Sequence, residues 1–306
     1  MVALRCIDYT SYSLVSTTGS TTVTGIPSPS VAPPAAPPRI GGPAAGRLAP
    51  DKASTATRET VTALRYWTPA LVSVRVTRDD AFAFTPGHYA RLGIADASGQ
   101  LVFRPLSIAS APADSELEFV CTLVPGGEFS ARLAALRVDD PVEVDGRSYG
   151  FLTVDSLAPG ADLWLLASGT GLAPFLSMLR DHAVWRAFDR LVVVHSVRLA
   201  AELACADELR QLAQESTLSP LRALLRYVPV VTREPGATAL ADRIPALIAD
   251  GRLAAAAGAT LDPARSRVMV CGNPAMTREL RELLGDRGFR TSRRAAPGQA
   301  AFEKYW

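Results

Sequence analysis

The segment Gly169–Pro174, which reads G-T-G-L-A-P, has the small residues and the proline that a nucleotide-binding turn uses. It follows a short apolar run and precedes a helical pattern, so that backbone N–H groups and the helix dipole can approach a pyrophosphate. Pro174 suits this position because an N–H in the first helical turn has no helical partner. A tight strand-to-helix connection has the same residues and is the alternative interpretation.

Three arginines downstream of this turn bear on the type of nucleotide. Proteins that bind NAD usually carry an acid at the end of the second strand, where it accepts the ribose hydroxyls. Here that strand runs into Arg198, while Arg233 lies just beyond the next strand and Arg243 in the following helix. Forked guanidinium groups suit a dianionic 2'-phosphate. The pattern favours NADP(H) over NAD(H), and ordinary surface charge is the alternative.

Two earlier stretches could hold further phosphates. In Arg104–Ser110, an arginine at the end of a strand can clamp a phosphate, and the Ser107 hydroxyl at the same edge can approach a ring nitrogen. Gly126–Ser130 precedes a helix, and its backbone N–H groups and the Ser130 hydroxyl form a second candidate anion site. A plain turn or helix cap is the alternative for each stretch.

Two more features accompany the last predicted parallel strand and the end of the sequence. Cys271–Met276 follows that strand, and ligands of open parallel sheets lie beyond the carboxyl ends of the strands. Cys271 is therefore expected beside the nucleotide, or else is a buried thiol in a turn. The sequence finishes with Phe302–Trp306, and aromatic rings at a terminus are unfavourable in water unless they cover something flat, such as a flavin.

Composition narrows the class of protein. The 306 residues carry a net charge of only +2, which argues against a dedicated nucleic-acid binder. No apolar run reaches the roughly 18 residues that a membrane-spanning helix needs. The four cysteines form no C-x-x-C pair, so neither a zinc site nor an iron-sulfur cluster is expected. We expect a soluble, cytoplasmic monomer in a reducing compartment.

Residues 1–57 differ from the rest of the chain. Serine-threonine runs and closely spaced prolines show no helical or strand periodicity there, which predicts a disordered extension. The scarcity of acids resembles an organelle transit peptide, but the Arg-rich amphipathic pattern is missing. A start codon assigned too far upstream explains the segment equally well.

Two kinds of periodicity follow. Residues 58–156 alternate apolar and polar side chains, as in Val72–Val76 and Leu117–Leu123, which predicts a small antiparallel barrel closed by a helix near Glu128–Leu136. Residues 157–306 hold solid apolar runs separated by helical stretches, for example a helix over Leu172–Ala183. Such alternation predicts a doubly wound parallel sheet. Pro229 cannot donate to a ladder, so its strand is expected at an edge or broken there.

In this order the motifs resemble those of the ferredoxin/flavodoxin-NADP reductases, in particular the bacterial type. That family has R-x-Y-S and G-x-x-S motifs for the flavin, G-T-G-x-A-P and C-G-x-P-x-M motifs for the pyridine nucleotide, and a C-terminal aromatic residue. The likeness covers about residues 59–306. It implies a barrel that binds FAD, a parallel-sheet domain that binds NADP(H), and a C-terminal tail that returns to the flavin.

The resemblance also implies an activity and a role for each residue. Hydride would pass between NADP(H) and flavin N5, and single electrons between FAD and an acidic ferredoxin or flavodoxin. For the flavin, the resemblance implies that Arg104 binds the FAD pyrophosphate, that Ser107 lies near flavin N5, that Ser130 holds the other phosphate side, and that Tyr305 and Trp306 cover the isoalloxazine and the adenine in either order. For the nucleotide, it implies that the NADP pocket is bounded by Gly169, Thr170, Gly171 and Pro174, and that the 2'-phosphate is bound by Arg198, Arg233 and Arg243. Cys271 would border the nicotinamide, with Glu303 nearby.

One position departs from the family pattern. Leu106 stands where the family has a tyrosine that stacks on the flavin, so only dispersion contacts would cover that face of the ring. Arg-Pro-Leu-Ser also resembles the flavin subunit of some dihydroorotate dehydrogenases, but their Cys-rich iron-sulfur tail is missing here. Alternative functions are a reductase that serves an oxygenase or free flavin, and a degenerate flavin-binding regulatory module.

A basic tract offers a candidate surface for the acidic carrier. Its arginines are Arg278, Arg281, Arg287, Arg290, Arg293 and Arg294, with only three acids among them. Such a tract can steer an acidic protein, although a solvated helix face is the alternative.

Overall fold

A computed structural model of the chain describes residues 56–217 and 223–304. The predicted disordered extension therefore lies outside the described residues, except for its last two positions, and the same is true of Tyr305 and Trp306. The first strand begins at Thr57, next to the predicted start of the barrel at residue 58.

The N-terminal part of the described chain forms an antiparallel sheet with one helix. Its elements are β1 (Thr57–Thr68), β2 (Leu71–Thr77), β3 (Tyr89–Ala95), β4 (Leu101–Ser107), β5 (Glu116–Thr122), α1 (Glu128–Ala135) and β6 (Pro141–Val144). The six strands are ordered β4-β3-β6-β1-β2-β5. A backbone bridge from Ile108 to Phe119 joins the two ends of this row, so that the sheet curls into a barrel.

The alternating pattern explains the interior of this barrel. Val72, Val74 and Val76 of β2 are fully buried with Phe119 and Leu92 of neighbouring strands. Side chains of a strand point alternately to its two faces, and these residues supply the inner one. The helix expected near Glu128–Leu136 is α1, and the predicted antiparallel barrel is confirmed.

The C-terminal part forms a parallel sheet. Its elements are β7 (Asp162–Ser168), α2 (Ala173–Leu179), α3 (His182–Ala187), β8 (Arg190–Val197), α4 (Ala206–Ser216), β9 (Leu224–Val231), α5 (Ile244–Ala249), α6 (Arg252–Ala257), β10 (Ser266–Gly272), α7 (Pro274–Asp286) and β11 (Ala300–Lys304). Short 3-10 turns span Val154–Ser156, Gly169–Leu172 and Ala200–Glu202. The five strands are ordered β11-β10-β7-β8-β9.

Both faces of the parallel sheet are covered. Leu163 and Leu165 of β7 belong to one apolar cluster, together with side chains of α2, α3 and α4. Trp164 and Leu166 belong to a second cluster, together with side chains of α5, α6 and α7. Successive residues of each strand thus face opposite cores, which is why the strands read as solid apolar runs. The predicted doubly wound sheet is confirmed.

Details of the parallel part differ from expectation in two places. The helix predicted over Leu172–Ala183 is interrupted, because Asp181 leaves the helical conformation and its carboxylate accepts the N–H of Ala183 at 3.0 Å, capping α3. The last parallel strand is β11 rather than β10. Pro229 lies in β9, at the edge of the sheet as predicted.

Among the described residues, no helix is both long enough and apolar enough to cross a membrane.

Candidate functional site

The glycine turn at the carboxyl end of β7 touches the corresponding turn of β10. A Cβ atom on Gly171 would collide with the carbonyl of Cys271, and one on Gly272 would collide with Ser168. Gly272 also has φ of +138°, outside the range that side chains favour. The Ser168 hydroxyl accepts the N–H of Asn273 at 2.9 Å. Glycine at these positions therefore lets the two loops approach each other backbone to backbone.

Gly169 and Thr170 leave an opening and an unused polar atom at the same place. Gly169 has a left-handed φ of +54°, and a Cβ on it would meet no atom within 4 Å. The Thr170 hydroxyl oxygen is buried and has no hydrogen-bond partner among the residues that the structure describes. Buried polar atoms are normally paired, so this oxygen is available to a ligand.

His195 of β8 supports the turn through a side-chain hydrogen bond to its backbone. It is 1% exposed, and its Nε2 lies 3.1 Å from the carbonyl oxygen of Gly169. Burial lowers the pKa of His195 to about 4, so that the imidazole is neutral at pH 7. A carbonyl can only accept, which assigns the hydrogen to Nε2 as donor. A lone histidine at the end of an apolar run is the one local signal for this residue.

Cys271 and Glu303 lie side by side at the carboxyl edge. They are register partners in β10 and β11, so their side chains leave the same face of the sheet. Burial raises the pKa of Glu303 to about 7. Burial and, secondarily, the Glu303 charge raise the pKa of Cys271, so the thiol stays protonated and is not a nucleophile at neutral pH.

Two of the three arginines predicted for the 2'-phosphate are brought together. The N–H of Arg233 donates to the carbonyl of Arg198 at 2.8 Å, where β8 and β9 end. The Arg198 side chain bonds to Glu202 at 2.6 Å, and that of Arg243 to Glu279 at 2.6 Å. Both arginine side chains are 60% exposed. Glu279 is 45% exposed, so its pair with Arg243 rearranges at little cost, whereas Glu202 is only 19% exposed and also accepts the N–H of Arg198. The side chain of Arg233 has no ion-pair partner in the described part of the chain.

The predicted flavin residues lie along the edge strand β4. Arg104 is exposed, donates to the Phe103 carbonyl at 2.9 Å, and has no acidic partner within the described ranges. Leu106 is 8% exposed and belongs to the barrel core, and Ser107 is 2% exposed. Arg104 pairs with Leu92, whose side chain is in the core, so Arg104 and Leu106 share the inner face at the edge of the barrel.

Helix α1 lies against this part of the barrel, since it contacts both β3 and β4. The helix is held by Arg132, which donates to the Ile94 carbonyl at 2.9 Å, to the Gln100 carbonyl and to Asp96 at 3.1 Å. Ser130 accepts the N–H of Val124 at 2.9 Å, and a Cβ on Gly126 would meet nothing within 4 Å. The free N–H groups of the first turn thus belong to a helix that contacts the strand carrying Arg104.

The two ends of the site belong to one connected core. Ala109, two residues after Ser107, and Leu172, at the end of the glycine turn, are members of the same apolar cluster. Strand β5 also contacts the turn Gly169–Leu172. The segment just after Ser107 on the barrel and the glycine turn on the parallel sheet thus pack on a shared core.

Comparisons with known proteins agree with this arrangement. Residues 165–282 match the family described as the oxidoreductase NAD-binding domain. The chain is 40% identical over 251 residues to ferredoxin-NADP reductase A of Sorangium cellulosum, a match that covers 81% of this chain and 89% of the relative. It is 35% identical over 249 residues to the flavodoxin/ferredoxin-NADP reductase of Rhodobacter capsulatus, which covers 80% and 92% of the two chains.

A solved structure gives the same result. The ferredoxin NADP+ reductase of Neisseria gonorrhoeae, crystallised with bound FAD and NADP, superposes with a TM-score of 0.76 at 31% identity and covers 82% of this chain and 99% of that chain. The fold and the site define an oxidoreductase of the class that pairs a barrel with a nucleotide-binding sheet. The chain belongs to the family of bacterial ferredoxin/flavodoxin-NADP reductases, as its motifs predicted.

His195 makes a testable contribution to stability. Its pKa is lower in the folded chain than in the unfolded chain, so the unfolded chain binds the extra proton below about pH 6.5 and stability is lost as the pH falls toward 4. Between pH 7 and pH 5 this loss is about 2 kcal/mol. We expect His195→Gln, which keeps a donor for Gly169, to remove that part of the slope. Urea unfolding of both proteins at pH 5 and pH 7 checks it, and parallel pH dependences would contradict it.

Proposed function

We propose that this chain works as an FAD-dependent ferredoxin/flavodoxin-NADP reductase, which moves hydride between NADP(H) and FAD and single electrons between FAD and ferredoxin or flavodoxin. Membership of the family supports the overall reaction. The observation that carries the proposal for this chain is the apolar cluster that joins Ala109, beside Ser107, to Leu172 in the glycine turn. A reaction between two bound rings needs such a fixed joint.

The barrel edge fits the phosphates of FAD. The Arg104 guanidinium is exposed and has no acidic partner in the described chain, so its charge is available to a pyrophosphate. The first turn of α1 adds backbone N–H groups and the hydroxyl of Ser130, which accepts the N–H of Val124 and keeps its own hydrogen to donate. Ser107, which makes no side-chain hydrogen bond with described residues, would lie near flavin N5. Leu106 would contribute an apolar contact. The assigned residues therefore match a bound dinucleotide.

The carboxyl edge of the parallel sheet fits NADP(H). The open space over Gly169, the unpaired hydroxyl of Thr170 and the close approach of Gly171 to β10 suit a pyrophosphate and nicotinamide beside Pro174. Arg198, Arg233 and Arg243 would bind the 2'-phosphate, with Arg198 and Arg243 exchanging their carboxylate partners Glu202 and Glu279 for it.

The mechanism is one of positioning. FAD supplies a ring that accepts hydride and returns electrons one at a time. The chain holds the two sites at a fixed separation, and the buried neutral thiol of Cys271 borders the nicotinamide without reacting. Glu303, when ionised, places a negative charge beside it, which favours the positively charged oxidised nicotinamide. Tyr305 and Trp306 stay predicted covers for the flavin.

The acidic carrier would dock on the basic tract. All six of its arginines are exposed, and the Arg281 guanidinium lies 4.3 Å from the ring centre of Phe302, next to Glu303. This contact puts Arg281 over β11 and supports a carrier surface close to that strand. We further propose that the protein acts as a monomer in the bacterial cytoplasm and binds no nucleic acid, in keeping with its small net charge of +2.

Absorbance of the purified full chain tests the reaction. We expect a yellow protein that contains FAD and loses its absorbance near 450 nm when NADPH is added without oxygen, with NADH much less effective, because the arginines favour the 2'-phosphate. Oxidised ferredoxin or flavodoxin should restore the colour. A protein that takes up no FAD, or that carries FAD which NADPH leaves oxidised, would refute the proposal.

Arg233 should determine the preference for NADPH over NADH. Its free guanidinium is expected to contribute a charge-assisted hydrogen bond of about 1.5–3 kcal/mol to the 2'-phosphate. Arg233→Ala should then raise the KM for NADPH about 10- to 100-fold and leave the KM for NADH unchanged. Arg210→Ala is the control, since Arg210 is an exposed arginine that pairs with Asp207 on α4. Equal effects on both nucleotides would contradict the assignment.

Glu303 should give flavin reduction a pH dependence. With its pKa at about 7, Glu303 is neutral below and charged above that pH. The rate of flavin reduction by NADPH should therefore rise as the pH increases from 6 to 8, because the charged form stabilises the developing positive nicotinamide. Glu303→Gln should react at the low-pH rate throughout this range. Stopped-flow traces at several pH values check it, and a variant that keeps the wild-type pH profile would exclude Glu303 as its source.

A further inference from the structure

Arg180 joins the two sheets through a buried network. It follows the last residue of α2, and its side chain is 18% exposed. One guanidinium nitrogen, Nη1, donates to the Ala109 carbonyl and to Glu118, both at 2.8 Å. The other side of the guanidinium grips Glu208 of α4 in a fork, with Nε at 2.7 Å and Nη2 at 2.8 Å. One side chain at the end of α2 thus binds two barrel residues and helix α4.

The Arg180 guanidinium keeps its charge despite burial. Burial alone would lower the pKa of the Arg180 guanidinium, but the hydrogen bonds and charges of Glu208 and the charge of Glu118 raise it. Glu118 is 6% exposed, and Arg75 lies 3.6 Å from its carboxylate. Removing one member of a buried ion pair leaves an uncompensated buried charge. Breaking this contact therefore costs much more free energy than breaking an exposed pair.

Arg180 acts on the backbone next to Ser107. Ala109 is fully buried, so its carbonyl needs a partner, and Arg180 supplies one. The Ala109 N–H donates to the carbonyl of Glu118 at 2.8 Å, and the Ser110 hydroxyl accepts the N–H of Glu118 at 3.1 Å. The residues just after Ser107 are therefore tied to Glu118, and through Glu118 and Ala109 to Arg180.

The other end of α2 carries the glycine turn. This helix has seven residues, all buried, and spans about 10 Å. It begins at Ala173, directly after the turn Gly169–Leu172, and ends at Arg180. A short helix packed on all sides cannot shift independently of its surroundings. It therefore works as a rigid spacer from the glycine turn to Arg180.

We propose that Arg180 is a positioning residue which fixes Ser107 relative to the turn Gly169–Leu172, and with it the alignment of the nicotinamide and the flavin. The inference rests on the proposed function, since only a reaction between the two sites requires that alignment. Arg180 touches neither predicted phosphate site. Its loss should consequently affect hydride transfer far more than the binding of either cofactor. A displacement of about 1 Å can cost a factor of about 100 in rate.

The experiment compares wild type with Arg180→Lys and Glu208→Gln. Lysine keeps the charge but lacks the planar fork, so it cannot bond Ala109, Glu118 and Glu208 together. Glu208→Gln leaves the contacts of Arg180 to Ala109 and Glu118 in place. Arg186→Lys, at an exposed position six residues further on, is the matched control. Four quantities are measured: the rate of flavin reduction by NADPH, the dissociation constant of NADP+, the FAD content, and hydrogen-deuterium exchange of the protein without nucleotide.

For Arg180→Lys we expect flavin reduction at least 10-fold slower, with NADP+ affinity and FAD content within about 3-fold of wild type. Amide exchange should accelerate in peptides that cover residues 108–118 and remain unchanged in β7 and β8. Glu208→Gln should show a smaller effect of the same kind, and the control none. The exchange result requires no activity, so it reports on the tie between Arg180 and Ala109 independently of catalysis.

Three results would overturn the inference. Unchanged reduction rates in Arg180→Lys would show that alignment does not depend on Arg180. Faster exchange throughout both sheets, with loss of FAD, would show a general structural role instead. Unchanged exchange in residues 108–118 would show that the segment is held by other contacts. If the wild-type protein is not reduced by NADPH, the proposed function itself fails, and the comparison of variants cannot be confused with that outcome.

Discussion

The structure depends on the joint between the barrel and the parallel sheet. Leu71, Ala109 and Val120 of the barrel share one apolar cluster with Leu172 and Phe175 of the other part. Burial of a side chain such as Phe175 contributes about 1.5–3 kcal/mol, and a joint built from several of these does not open as a hinge. The separation of the two sites is therefore set when the chain folds. An enzyme that works by holding two rings in contact has to fix that distance, and here the core does so.

The approach of β7 to β10 is the second constraint. Gly171 and Gly272 allow two loops to touch backbone to backbone, where any side chain would collide. This contact sets the floor of the proposed nucleotide site, and the opening over Gly169 lies above it. His195 secures the same turn through a carbonyl rather than through a side chain. Such support comes from the backbone, so the chemical groups that a ligand would use remain free.

The main features of the fold follow from the sequence because the two periodicities differ physically. Alternation in Val72–Val76 marks a sheet with one buried face, and the solid run Leu163–Leu166 marks one with two. The break at Asp181 was hidden, since apolar spacing continues across two consecutive helices on one face. Strand β11 was missed because five residues at a sheet edge carry too weak a pattern.

The site divides in the same way. Glycine turns and arginines near strand ends can be found from local sequence, because the ends of parallel strands meet at one edge. Partners that are distant in sequence cannot. Arg180 bonds residues 62 and 71 positions away, and Arg243 bonds Glu279, 36 positions away. No local pattern relates these residues, and only the folded chain brings them together.

Leu106 makes the joint between the barrel and the parallel sheet more important for placing the flavin in the proposed site. It belongs to the barrel core, and it replaces the tyrosine of the related motif, so in the proposed flavin site it would offer dispersion contacts and no hydroxyl. Placement of the ring would then rely more on Arg104, on the first turn of α1 and on the strand end at Ser107. The residues just after that strand end are hydrogen-bonded to Glu118 and Arg180. Because the contact with the face of the ring would be weaker, alignment of the flavin would depend more on the buried ion pairs of Arg180.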